Sequence, residues 1–404
     1  MISSTNSPKQ DRISPILILA ITVAVDMIGF GMIIPLIPFY AITLGASPSS
    51  IGILIASFSL MQVLFSPILG RISDHIGRRP VLLLSILTSL VSFILFTLAD
   101  SFIILLLSRL VAGLATEAAV AQAYIADSTT KAERAKGMGK IGAALGIGFI
   151  LGPAMSGFLS PYGFWTPGVA AVILSLINFL FVLVFLPESI PKESPSKEQV
   201  SLQNEGQVYL RRLIYAISQP LTGAVYIIYF IVTFAFSTIP VIVPLLVEEF
   251  YNFSAVEMSY LFMYIGVLQV LLQAGGIGKI MQKISEESLI IIGPLLMLCG
   301  IFVMPLTRSL IVFLGTLSLL STGVALTNTI IPSFLSKRTP PDEQGQVLGL
   351  TQSVSSLARV PGPVVSGVIY DLGGTGMPFF VSAIILLLPV VLACKVFQKC
   401  QASK

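Results

Sequence analysis

Gly70-Arg71-Ile72-Ser73-Asp74-His75-Ile76-Gly77-Arg78-Arg79-Pro80 is a short polar segment held between two apolar stretches, 50–69 before it and 80–99 after it. Gly70 and Gly77 permit the backbone to turn tightly between two helix ends. Asp74 is suited to meet the positive N-terminus of a neighbouring helix. Each flanking stretch has the length, roughly 20 apolar residues, that crosses a bilayer core about 30 Å thick. The segment therefore reads as a loop between two membrane spans, and the same alternation recurs outward in both directions.

Twelve such stretches can be counted, over 15–44, 50–69, 80–99, 102–126, 138–160, 165–186, 219–247, 255–275, 288–306, 309–332, 344–370 and 375–397. Of the 404 residues 55% are hydrophobic and only 10% charged, against about a quarter charged in a soluble domain. Lipid is the expected solvent, and the expected fold is an all-α membrane protein of 12 transmembrane helices. The first stretch is too long for a signal-peptide core and is kept as a span.

Of 23 Lys and Arg residues, 20 fall in the termini and the even-numbered connections, Arg109 and Arg359 lie inside spans, and Arg308 is on the other side. Basic residues stay on the cytoplasmic face, so both termini are expected in the cytoplasm and the protein in the cell (inner) membrane. The net charge of +4 is spread over all these loops, which gives no case for nucleic acid. Cys299, Cys394 and Cys400 show no pairing or metal spacing. His75, the only histidine, sits in an exposed loop. With no metal or nucleophile constellation, an enzyme is not expected, nor any cofactor. The expected partners are a small-molecule substrate, protons and the lipid bilayer, with the chain acting as a monomer.

The longest polar connection, 187–218, divides the chain into two bundles of six, 1–186 and 219–404. A shift of 210 residues sets Glu133 over Glu343, Gly139 over Gly349, and Gly152, Pro153, Ser156 and Gly157 over Gly362, Pro363, Ser366 and Gly367. Weaker echoes set Pro35 over Pro240, and Gly70 and Arg71 over Gly278 and Lys279. Two pseudo-symmetric, parallel six-helix repeats are the architecture of facilitator folds.

The loop 70–80 resembles the signature cytoplasmic loop of the major facilitator superfamily, in its spacing of glycines, aspartate and basic pair and in its place after the second span. The resemblance implies a conformational latch of Gly70, Asp74, Gly77, Arg78 and Arg79, with Asp74 meeting the eleventh helix and Arg78 pairing with Asp127. Gly142, Gly146, Gly148, Gly152, Pro153 and Gly157 let helix backbones approach closely. They resemble the fifth-helix signature of 12-helix drug:proton antiporters, the tetracycline and multidrug exporters, and imply export.

The first span, with Asp26 ahead of Gly29, Gly31, Pro35 and Pro38, is similar to that of the same exporters. A carboxylate at this depth costs a few kcal/mol and needs a partner or a proton. Arg109 with Gly113 resembles the family's fourth-helix motif and offers that partner, and Glu117 flanks their face. Asp26, Glu117 and Arg109 are the expected proton-coupling residues. Phe30, Gly113, Tyr229, Phe236, Gln352 and Arg359 are the expected cavity residues. The function implied is proton-coupled export of drugs or other small amphipathic compounds by alternating access. The alternative is a facilitator or symporter for an organic anion or metabolite, with Arg109 and Arg359 as ligands.

Overall fold

The computed structural model describes residues 14–189, 219, 221–340 and 344–402. Most of the connection 187–218, together with Glu343, lies outside them. Among the described residues eleven helices are long and apolar enough to cross a membrane: α1 (Pro15–Thr43), α2 (Pro48–Ile76), α3 (Arg78–Thr97), α4 (Phe102–Ser128), α5 (Lys136–Tyr162), α6 (Trp165–Phe185), α7 (Thr222–Tyr251), α8 (Ala255–Met281), α9 (Glu286–Leu306), α10 (Leu310–Lys337) and, closing the chain, Met377–Lys399. The span expected over 344–370 is two shorter helices, α11a (Gln344–Ala358) and α11b (Pro361–Gly373), which makes Met377–Lys399 α12. Pro361 and Pro363 lack N–H groups, and the Arg359 and Val360 amides turn back three residues to Ser356 and Leu357. One continuous helix cannot run through that point.

Other interruptions have equally local causes. The α1 ladder tightens to a 3₁₀ turn at Ile34–Leu36, around Pro35, and α7 is interrupted between Ser237 and Ile239, beside Pro240. The two prolines matched by the sequence repeat thus break the same helix of each half. α4 splits into Phe102–Ala112 and Glu117–Ser128, with Thr116 off helical geometry at φ −136°, ψ 29°.

The bundle has a basal end, carrying Pro15, Ile76 and Ser128, and an apical end, carrying Thr43, Pro48, Tyr251 and Gly373. At the basal end the first half has a separate core built around Ile18, Leu19, Val81, Leu82, Ile125 and Val182. Further up, its residues Met32, Ile51, Phe96 and Leu105 merge with the second half in one continuous core. The halves meet through α2 on α11b and α5 on α8. A side chain on Gly52 would run into the Pro363 carbonyl, and one on Gly367 into that of Pro48. The buried Ser259 hydroxyl donates to Ser156 at 3.1 Å.

α5 packs on α1 within its own half and on α8 across the halves. Gly148 and Gly152 press on Met27, Ile28 and Gly31 of α1, while Gly146 and Gly157 face Val270 and Tyr260 of α8. Gly142 looks into open space. Because Pro153 has no N–H, the Phe149 carbonyl has no donor one turn on; a Cβ on Gly266 would stand 2.7 Å from that oxygen.

Candidate functional site

Between the halves lies a cavity of about 1920 Å³ that reaches from mid-membrane toward the basal end. Asp26, Phe30, Phe58, Phe93, Arg109 and Glu117 line it from the first half, and Tyr226, Phe230, Gln352 and Arg359 from the second. Tyr229 lines an adjoining recess. Two expected cavity residues are elsewhere. Gly113 is the seat of a close helix contact, where a Cβ would stand 2.5 Å from the Phe58 carbonyl oxygen, and Phe236 packs against the apolar core.

The polar cluster is organised by α3. Its Ser85, Ser89 and Ser92 are all buried, on one face at helical spacing. Ser85 Oγ is 3.1 Å from Thr116 Oγ1. Ser89 Oγ is 3.1 Å from Asp26 Oδ1 and 2.8 Å from Glu117 Oε1, so one hydroxyl stands between two carboxyl groups. Arg109, only 2% exposed, reaches Ser92 Oγ at 3.4 Å, and its Nε is buried without a partner.

The expected pairing of Asp26 with Arg109 is therefore not formed. The physical reason is the break at Thr116. The segment carrying Glu117 leaves the register of Arg109 and brings that carboxyl to Ser89, where Asp26 also points. Sequence reading missed Ser89. Its signal was the run Ser85, Ser89, Ser92 in an otherwise apolar span.

At the basal end Arg78 gathers the loop. Its Nε donates to Asp127 Oδ2 at 2.7 Å, and Nη1 lies 2.5 Å from Asp74 Oδ1 and donates to Ser73 Oγ at 2.6 Å. The Arg78 and Arg79 amides donate to the Glu188 carboxylate at 2.9 and 3.2 Å. Arg79 Nη2 also bonds the Leu183 carbonyl at 2.6 Å. Gly77 adopts φ 106°, a left-handed value that favours glycine, and a Cβ there would meet Glu188 at 2.5 Å. Gly70, expected to turn the chain, is instead inside α2 with nothing within 4 Å of where its Cβ would be. Asp74 is paired to Arg78 within its own half, and among the described residues no hydrogen bond or ion pair joins it to the eleventh helix, as the latch expectation required.

At the apical end the carboxylate partner is Asp371 of α11b, which accepts from the Ser49 amide in the first turn of α2 at 3.1 Å. Thr375, in the turn between α11b and α12, donates to Glu249 near the end of α7.

Two six-helix halves around a cavity, with the cross-half contacts collected at one end, define a transporter, and the sequence agrees: the profile of the Major Facilitator Superfamily matches residues 19–363. The chain belongs to that family. It is 27% identical over 377 residues to multidrug resistance protein 2 of Bacillus subtilis (strain 168), covering 92% of each. To the class E tetracycline resistance protein of Escherichia coli it is 31% identical over 356 residues, covering 87% of this chain and 86% of the relative. The crystal structure of the human organic anion transporter MFSD10 (TETRAN) superposes with a TM-score of 0.69 at 24% identity, over 94% of this chain and 98% of that one.

Proposed function

We propose that this transporter is a proton-coupled antiporter exporting small amphipathic compounds by alternating access, with Asp26 and Glu117 as the proton site. The observation that carries the reading is the Ser89 hydroxyl shared by two carboxyl groups. A serine has one proton to donate. With both carboxylates ionised, only one could accept it, and the other would face a lone pair beside a like charge. One proton on either carboxyl converts the arrangement into a satisfied O–H···O–H···O chain. Such a site takes up and gives back a single proton with little rearrangement, and it does so in the wall of the cavity.

The distribution of basic residues supports a cytoplasmic basal end, with both termini inside a cell membrane. The conformation described is then inward-open. The cycle runs as exchange: substrate enters from the cytoplasm as the carboxyl proton leaves, the halves rock, and a proton from outside reloads the site when substrate departs. The glycine-rich α5, similar to that of exporters, and the two resistance proteins among the relatives support the outward direction. The chain is taken to act as a monomer.

The test is dye movement in inverted vesicles under an imposed pH gradient and then a sodium gradient. Accumulation should follow the pH gradient alone. Accumulation driven by sodium, or indifferent to both, would remove proton antiport. A second reading, a facilitator or symporter for an organic anion, is favoured by Arg109 and Arg359 lining the cavity and by the MFSD10 likeness. It predicts uptake of an organic anion down its own gradient with no dye export.

A further inference from the structure

Among the described residues the second half contributes a single charge to the cavity wall, and its setting differs from that of the acids. Arg359 stands at the break between α11a and α11b, with its side chain exposed to the cavity. Its Nη2 donates to Ser355 Oγ at 3.1 Å, and among the described ion pairs none involves it. An arginine at membrane depth whose neighbours are the Ser355 hydroxyl and the Tyr229 phenol, with no carboxylate paired to it among the described residues, is a costly arrangement, one that an anion would complete.

The space beside it is built for an acceptor. A recess of about 390 Å³ opens next to Arg359, lined also by Tyr229, Asn328, Thr351 and Gln352, and among the described residues no acidic one borders it. The guanidinium carries five N–H donors, each amide two more and the phenol one; the Thr351 hydroxyl is already directed to the Val347 carbonyl at 2.8 Å. Gln352 and Arg359 border both the recess and the main cavity, so a molecule seated there extends toward the aromatic wall of Phe30, Tyr226 and Phe230.

We infer that the Arg359 recess is an anion subsite, which takes the carboxylate of an amphipathic organic acid while the apolar body of that acid lies along the aromatic wall. Guanidinium and carboxylate match in plane and can bond through two parallel N–H···O contacts, with the Gln352 and Asn328 amides as further donors. The subsite deepens the exporter reading by naming a substrate class. It also sets the two sites apart, with the proton site in the first half and the anion site in the second.

The experiment is fluorescence binding of 1-pyrenebutyrate and its neutral amide to the purified full chain in detergent. Wild-type protein should prefer the carboxylate by about tenfold or more, the range expected for a hydrogen bond to a charged group. Arg359→Gln should erase the preference, and Arg359→Lys should keep part of it. Asn328→Asp leaves the arginine in place and sets a competing anion in the recess; it should erase the preference too, and it decides the matter if Arg359→Gln does not fold. Equal affinity of the wild type for both probes, or a preference that survives either Arg359→Gln or Asn328→Asp, would overturn the subsite. Dye accumulation under a pH gradient is followed in parallel. Its failure alongside an intact carboxylate preference would sink the exporter reading and leave the subsite standing.

Discussion

The two ends of the bundle use the same helices and the same kind of residue to opposite effect. At the apical end Gly52, Gly157 and Gly367 are pressed by the other half. At the basal end Gly70, Gly139, Gly142, Gly278 and Gly349, on α2, α5, α8 and α11a, have nothing within 4 Å of where a Cβ would be. Small residues earn their place in membrane helices where backbones come close; on the alternating-access reading, the basal row is where the halves would meet in the other state. The carboxylates repeat the pattern. Asp371, at the apical end of α11b, holds the first turn of α2, whereas Asp74, at the basal end of α2, is turned back onto Arg78. On the alternating-access reading, each acid caps the facing helix in one state only.

That comparison can be broken most sharply at Gly52. Gly52→Leu drives a side chain into the α11b backbone, and overpacking of this kind costs about 1–3 kcal/mol or more. The apical end should open and the basal end close. In a Gly349→Cys background, thiol labelling from the basal side should fall about tenfold or more and transport should stop; unchanged labelling would mean that the apical contact does not hold this conformation.

The next effect lies midway between the ends. Glu117→Gln leaves a permanently neutral group on Ser89, so accumulation driven by a pH gradient should fall about tenfold or more, a loss typical of removing a positioned acid–base group, while substrate still binds. Asp26→Asn should behave alike and fold normally, because the structure has no Asp26–Arg109 pair to lose. Substrate-induced proton release from purified protein checks both. Release that persists in each single variant and in the double variant would take these acids out of the mechanism.

The smallest effects should carry opposite signs. A charge at a helix N-terminus contributes about 0.3–1 kcal/mol, which shifts a two-state population by roughly two- to fivefold. Asp371→Asn should lower basal labelling of the Gly349→Cys protein by that factor, and Asp74→Asn should raise it. Both should slow turnover with substrate affinity nearly unchanged. Shifts of the same sign would mean that the two acids are not counterparts.

The fold was legible because each bilayer crossing needs its own apolar run, and because Pro35 with Pro240, and Gly152-Pro153 with Gly362-Pro363, repeat at nearly fixed offsets. The Arg78–Asp127 contact was legible through family resemblance. The arrangement around Asp26 was not. Spacing along α4 reads as the face of an unbroken helix, although Gly113 and Thr116 are the residue types that end one helix and start another, and the break between them decides which side chain meets Asp26. Ser89 was obscured because serines are ordinary residues in membrane helices, and only its position opposite two acids from other helices distinguishes it. Gly113 was assigned to the cavity by its motif, whereas its lack of a Cβ serves the α2 contact.

Pro153 leaves the Phe149 carbonyl without a helical donor, and α8 covers that oxygen at Gly266. If, on the alternating-access reading, α8 swings away, the oxygen would enter a space where an unsatisfied carbonyl is costly in hydrocarbon, so water would have to arrive with the opening. Outward opening of this helix pair is therefore a hydration step as well as a rocking motion. Its rate should respond to osmotic stress: an excluded osmolyte that lowers water activity should slow the exchange, and replacing Pro153 with a residue that restores the donor should make it less sensitive.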